Sequence, residues 1–195
     1  TYFYLYFIKI KSLLILYKLY FQLYMKIYDC FQFFDEDMLL DLRLNIMDKY
    51  VDKFVITEST YMHNGKSKKL LFDINKFSKF KDKIIYLPIY EPPPNIVTIS
   101  KNDDLNKQQS IMIDNAKKRE LYQINKTNDV IKKADPDDII IVSDLDEIPN
   151  LEQLNFKTIK EKLIFFEQKM FYYKLNLLYD SFSWFGSKAC KKKNF

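Results

Sequence analysis

Three carboxylates, Asp144, Asp146 and Glu147, follow directly on the apolar run Ile139 to Val142, and no other stretch of the chain is better placed to do chemistry. The run is β-branched throughout and too short for a helix. With Pro136 before it and Pro149 after it, it reads as a strand covered on both faces, central in an α/β sheet. Side chains at i and i+2 of a strand share a face, which brings Asp144 and Asp146 together, while Ile148 and Pro149 end the strand and turn the chain. Open α/β sheets bind ligands beyond the carboxyl ends of such strands. Paired carboxylates there suit a hard divalent ion, magnesium or manganese, that also takes oxygens from a bound diphosphate. The competing reading is a solvated turn, because Asp favours turns for its own hydrogen-bonding reasons. Against it, acidic groups crowded at the mouth of the most apolar strand repel one another and give the fold nothing.

Other chemistries find little support. His63 is the single histidine, and Cys30 and Cys190 have neither a disulfide framework nor metal-ligand spacing. There is no Gly-x-Ser-x-Gly nucleophile turn. The chain has 195 residues, 48% of them hydrophobic, which is enough for one domain with a real core. Its net charge of +5 comes from scattered lysines, and arginine, the residue that grips phosphate in forks, occurs only as Arg43 and Arg119. No nucleic-acid partner is therefore expected.

The elements that must position the carboxylates alternate in type. Lys26 to Cys30, Phe54 to Thr57 with Glu58 at its end, and Lys83 to Ile89 read as strands. Asp35 to Tyr50 reads as a helix with Asp35 as its N-cap and Met38, Leu42, Asn45 and Ile46, with Leu39, on its inner face. A long helix is expected from about Asn106 to Lys133. After the acidic strand, Leu151, Leu154, Ile159 and Leu163 predict another helix, and Ile164 to Leu175 a long strand. Loops rather than tight hairpins follow the early strands, so the sheet is expected to be mostly parallel and flanked by helices. Residues 1 to 24 are rich in aromatic and aliphatic side chains, but Lys9, Lys11 and Lys18 cut them into runs shorter than the ~20 apolar residues that span a bilayer. Met25 is the expected functional start. A form anchored by residues 1 to 24 would work at the Golgi membrane, and one starting at Met25 would stay in the cytoplasm.

Taken in order, Lys26-Ile27-Tyr28-Asp29-Cys30-Phe31, Glu58-Ser59-Thr60, His63-Asn64-Gly65-Lys66-Ser67-Lys68, Lys118-Arg119-Glu120, Ser143 to Pro149 and Phe165 to Tyr173 resemble glycosyltransferase family 17. The resemblance runs from about Met25 onward. It implies a glycosyltransferase A-type, Rossmann-like fold over residues 25–195, a UDP-sugar donor with N-acetylglucosamine as the sugar, and a glycan acceptor. It also implies a manganese or magnesium ion at Asp144 and Asp146, and inversion at the anomeric carbon. The chain departs from the family pattern at Met62-His63 and at Gln123-Ile124-Asn125. It also stops soon after Cys190, where a further Gly-Gly-Trp-His-like region is expected, so the domain reads as truncated.

Within that resemblance, Glu147 is either the base that takes the acceptor's proton or a group that orients a metal ligand, against a plain charge at a helix entry. Glu58 is read as a hydrogen-bond acceptor for uracil or ribose, or as a strand-end charge in water. His63, with Lys66 and Lys68 nearby, is placed at the donor phosphates or simply in solvent. Arg119 is expected to reach the diphosphate or to ion-pair with a neighbouring acid. Trp184 is the candidate face for an acceptor sugar. Two other functions remain open: a noncatalytic nucleotide-sugar or carbohydrate-binding remnant, and a haloacid-dehalogenase-like phosphatase with Asp144 as nucleophile.

Overall fold

The computed structural model describes residues 25–173 and 176–195. The hydrophobic segment 1–24 lies outside the described residues. Among those described, no helix is long and apolar enough to cross a membrane.

Four strands come first in the sheet's logic: β1 (Ile27–Gln32), β2 (Lys53–Ser59), β3 (Ile84–Ile89) and β4 (Ile139–Val142). They lie parallel in the order β3-β2-β1-β4. The sheet is completed by β8 (Lys188–Lys191), antiparallel to β4, and by β5 (Ile164–Phe165), antiparallel to β8. A separate hairpin pairs β6 (Gln168–Phe171) with β7 (Leu178–Trp184). Helix α1 (Asp37–Met47) makes the crossover from β1 to β2, a 3-10 helix (Ile74–Phe80) lies in the one from β2 to β3, and α2 (Leu105–Asn125) with α3 (Asn128–Ile131) makes the one from β3 to β4. This is the mostly parallel, helix-flanked α/β sheet expected from the sequence.

The apolar run of β4 is explained by two cores. Ile139 and Ile141 pack with Phe31, Leu40, Leu44 and Met47 on the α1 side, whereas Ile140 packs with Tyr28, Cys30, Val55 and Ile131 on the other. Both faces of the strand are thus removed from water, as a continuous β-branched run requires. The chain builds β2 and β3 to one side of β1 and then crosses to place β4 on the other. That reversal opens a crevice beyond the carboxyl ends of β1 and β4, where doubly wound sheets take ligands.

Several expectations are corrected. The N-cap of α1 is Glu36 rather than Asp35, and its carboxylate turns back to accept from Phe34 N and Asp35 N instead of capping the helix. The buried face is Leu40, Arg43, Leu44 and Met47, while Met38, Leu42 and Ile46 are exposed. Two apolar stripes with the same helical spacing run along α1, and a buried ion pair of Arg43 selects between them. The long helix stops at Asn125, where the Thr127 hydroxyl donates to Ile124 O at 2.7 Å, and the chain restarts as α3.

No helix forms over 151–163. Asn150 and Asn155 accept from Glu152 N and Lys157 N and make local turns, which compete with helix at the points where it would begin. The single strand from Ile164 is split between the main sheet and the hairpin, with Phe166 buried at the crossing and Lys174 and Leu175 outside the described residues.

Candidate functional site

A cavity of about 710 Å³ opens at the crevice. Its walls are the end of β1 and start of α1 (Gln32 to Phe34, Glu36, Leu39), the end of β2 with its loop (Ser59, Tyr61 to Asn64), α2 (Glu120, Gln123) and the segment Asp144 to Asp146.

That segment is a turn, not a strand. β4 ends at Val142, Ser143 N donates to Cys30 O at 3.2 Å, and Glu147 N closes the turn on Asp144 O at 3.1 Å. Asp144 and Asp146 both keep access to solvent and both line the cavity, carried there by a turn rather than by the strand alternation expected. The Asp144 carboxyl is pushed up from the ordinary range, first by partial burial and then by the charges of Glu147, Asp146 and Glu120; His63 opposes the shift. Four acids thus share one region, and crowded carboxylates of this kind make a field that attracts a cation. Among the described residues, no group of three or more His, Cys, Asp or Glu side chains is arranged to hold a metal ion by itself.

The turn rests on Arg43, a residue that sequence reasoning did not single out. Its side chain is 0% exposed, and its guanidinium makes a two-point pair with Asp29 at 2.9 and 2.7 Å. The remaining donors reach Ser143 Oγ and the carbonyls of Asp144, Leu145 and Glu147. The Phe31 ring covers it at 4.5 Å. The available signal was one of only two arginines in a lysine-rich chain, together with a carboxylate, Asp29, inside an apolar strand.

The other singled-out residues separate into two groups. His63 lines the cavity. Arg119 does not: it donates to His63 O at 2.9 Å, and among the described residues it has no acidic partner, so the expected ion pair is replaced by a clamp on the loop. Gly65 completes the clamp. Its φ is +88°, and a Cβ there would lie 2.7 Å from an Arg119 nitrogen.

Glu58 and Lys68 lie away from the cavity and bind each other at 2.5 Å with their side chains 0% and 6% exposed. Glu58 also accepts from Leu71 N, Phe72 N and Tyr86 Oη, so its oxygens are saturated from within. It is neither a water-exposed strand end nor an open acceptor for a ligand. Glu147 is likewise engaged, accepting from Asp144 N at 3.0 Å and from Trp184 Nε1 at 2.5 Å. Gly186 makes room for this contact, since a Cβ there would meet Glu147 Oε1 at 1.7 Å.

Tyr61 and Gln32, also missed, carry a buried Oη and a buried Oε1 with no hydrogen-bond partner among the described residues, and both residues line the cavity. Burial, then the neighbouring Tyr122, pushes the Tyr61 hydroxyl up to about 12.

The chain matches no curated protein and no solved structure. The family model of glycosyltransferase family 17 matches residues 19–194, opening ahead of Met25 and taking in every strand and helix described above. With the reversed parallel sheet and the acidic turn at its switch point, this match establishes that the chain belongs to glycosyltransferase family 17.

Proposed function

We propose that the cleft binds a UDP-sugar, with N-acetylglucosamine as the sugar, and passes that sugar to a glycan acceptor with inversion, assisted by manganese or magnesium at Asp144 and Asp146. Family membership already implies a nucleotide-sugar donor and a glycan acceptor. The observation that carries the finer reading is the placement of both carboxylates on one turn at the switch point, facing a cavity of about 710 Å³.

The donor set fits a hard ion. It is all oxygen, and because two carboxylates do not fill a coordination shell, the remaining places go to water and diphosphate oxygens. When bound, such an ion offsets the negative charge that grows on the departing diphosphate. The chain's own residues arrange the rest. Glu147, with one oxygen on Asp144 N and the other on Trp184 Nε1, acts as an orienting group for the metal-binding turn rather than as the base. Arg119 and Gly65 hold the loop so that His63 reaches the donor phosphates. Glu58 and Lys68 act on the donor only through the loop they fasten. Trp184, 40% exposed and tied to Glu147, offers an apolar face to the acceptor sugar.

Equilibrium dialysis against labelled UDP-N-acetylglucosamine, UDP-glucose and GDP-mannose with manganese tests the donor assignment. Preferential retention of UDP-N-acetylglucosamine is expected, and equal retention of GDP-mannose would contradict it. Release of p-nitrophenol from p-nitrophenyl phosphate, lost in Asp144→Asn, would instead favour the phosphatase chemistry.

A further inference from the structure

Resting on the metal reading above, we propose that Arg43 is the positioning residue of the acidic turn: it holds the backbone from Ser143 to Glu147 from beneath, so that the Asp144 and Asp146 side chains stand in the cleft ready for the ion.

A turn of four residues that carries three carboxylates has every electrostatic reason to open, because its acids repel one another and its carbonyls prefer water. Here three of those carbonyls, of Asp144, Leu145 and Glu147, face one guanidinium nitrogen at 2.8, 3.1 and 3.0 Å. The other terminal nitrogen takes Ser143 Oγ and one oxygen of Asp29, and Nε takes the second oxygen of Asp29. All five N–H donors of arginine are therefore committed. With the carbonyls drawn down to the guanidinium, the side chains of Asp144 and Asp146 line the cavity.

Lysine cannot do this. Its ammonium is a point charge without a planar fork, and it cannot span Asp29 and three carbonyls together. The support is also anchored at both ends: Arg43 comes from the buried face of α1 and Asp29 from the centre of β1, both 0% exposed. A turn fixed to two core elements loses little freedom when it receives a ligand, which is how a binding site gains affinity by preorganisation. Because Asp29 already matches the arginine's charge, Arg43 supplies shape to the turn rather than neutralisation.

The test is manganese affinity measured on the full chain in the presence of UDP. Bound ion is counted from loss of the free manganese electron paramagnetic resonance signal, and the emission of Trp184, the chain's one tryptophan, is followed in parallel. Four variants are compared with the parent: Arg43→Lys, Ser143→Ala, Leu40→Ala, and Asp144→Asn with Asp146→Asn. Leu40 is buried on the same helix and holds none of the hydrogen bonds to the turn, so its truncation weakens the fold while leaving the Arg43 contacts in place.

Arg43→Lys is expected to weaken manganese binding at least tenfold and Ser143→Ala about threefold, with Leu40→Ala within twofold of the parent despite a lower melting temperature. Equal affinity of the parent and Arg43→Lys would overturn the proposal while leaving the metal site standing. So would a loss in Leu40→Ala as large as that in Arg43→Lys, since the effect would then be one of stability alone. If Arg43→Lys does not fold, Ser143→Ala decides, and unchanged affinity there overturns the proposal. A parent that binds no more manganese than the double asparagine variant would remove the metal reading itself, and this inference with it.

Discussion

Two carboxylates in neighbouring strands, Asp29 in β1 and Glu58 in β2, are both wholly buried and both paired with a cation, yet they fasten the site in opposite ways. Asp29 spends both oxygens on Arg43 and reaches the acidic turn only through it. Glu58 gives Lys68 one oxygen and reaches its loop directly, through Leu71 N and Phe72 N. In the first pair the cation does the shaping, in the second the anion. Burial of an acid in these strands is therefore no sign of ligand contact: neither one lines the cavity, and Asp29 fixes, through Arg43, a turn that does.

The comparison can be broken at either pair. The largest effect is expected from Asp29→Asn, which leaves the Arg43 charge buried without its counterion and should cost about 3–5 kcal/mol, read by urea unfolding. A loss below about 1 kcal/mol would show that the guanidinium is held by the turn carbonyls and not by the pair. Glu58→Gln should cost about 2–4 kcal/mol, because one amide cannot accept from four donors. Hydrogen exchange in this variant should quicken at Leu71 and Phe72 while the acidic turn stays protected; quickening at Asp144 and Glu147 would show that the two fastenings are one.

Gly65→Ala should cost about 1–2 kcal/mol, from strain at positive φ and from the close Arg119 guanidinium. It should also weaken donor binding more than manganese binding, since it moves His63 and not the turn. The smallest expected effect is alkaline. Burial, then the hydrogen bond to Glu58 and that group's charge, pushes the Tyr86 hydroxyl up. A tyrosine whose folded value exceeds its unfolded one, near 10, adds stability that is complete below about pH 10 and lost as pH rises through the folded value. Tyr86→Phe should flatten unfolding stability above about pH 10 relative to the parent, and an unchanged slope would assign the alkaline loss to other groups.

How much of this was legible follows from the range of the interactions. The apolar run of β4 and the alternation of strands with helical patterns show in the sequence because their causes are local: β-branching, periodicity and bounding prolines. The acidic segment was legible in place but not in form, since the turn closes through Arg43, 101 residues from Asp144. Nothing near Glu58 announces that Lys68, Leu71, Phe72 and Tyr86 will surround it, so its burial could not be read. The inner face of α1 was misread because Met38, Leu42 and Ile46 make as good an apolar stripe as Leu40, Leu44 and Met47 until Asp29 claims Arg43. The helix expected over 151–163 failed for a local reason that periodicity ignores, the two asparagine turns.

The most direct test of the account is calorimetric titration of UDP into the full chain with and without manganese, beside a variant carrying Asp144→Ala and Asp146→Ala. Binding that needs both the metal and the two carboxylates is the predicted result. UDP binding of equal strength without manganese, or in the double alanine variant, would contradict the assignment of the acidic turn as the metal-assisted donor site.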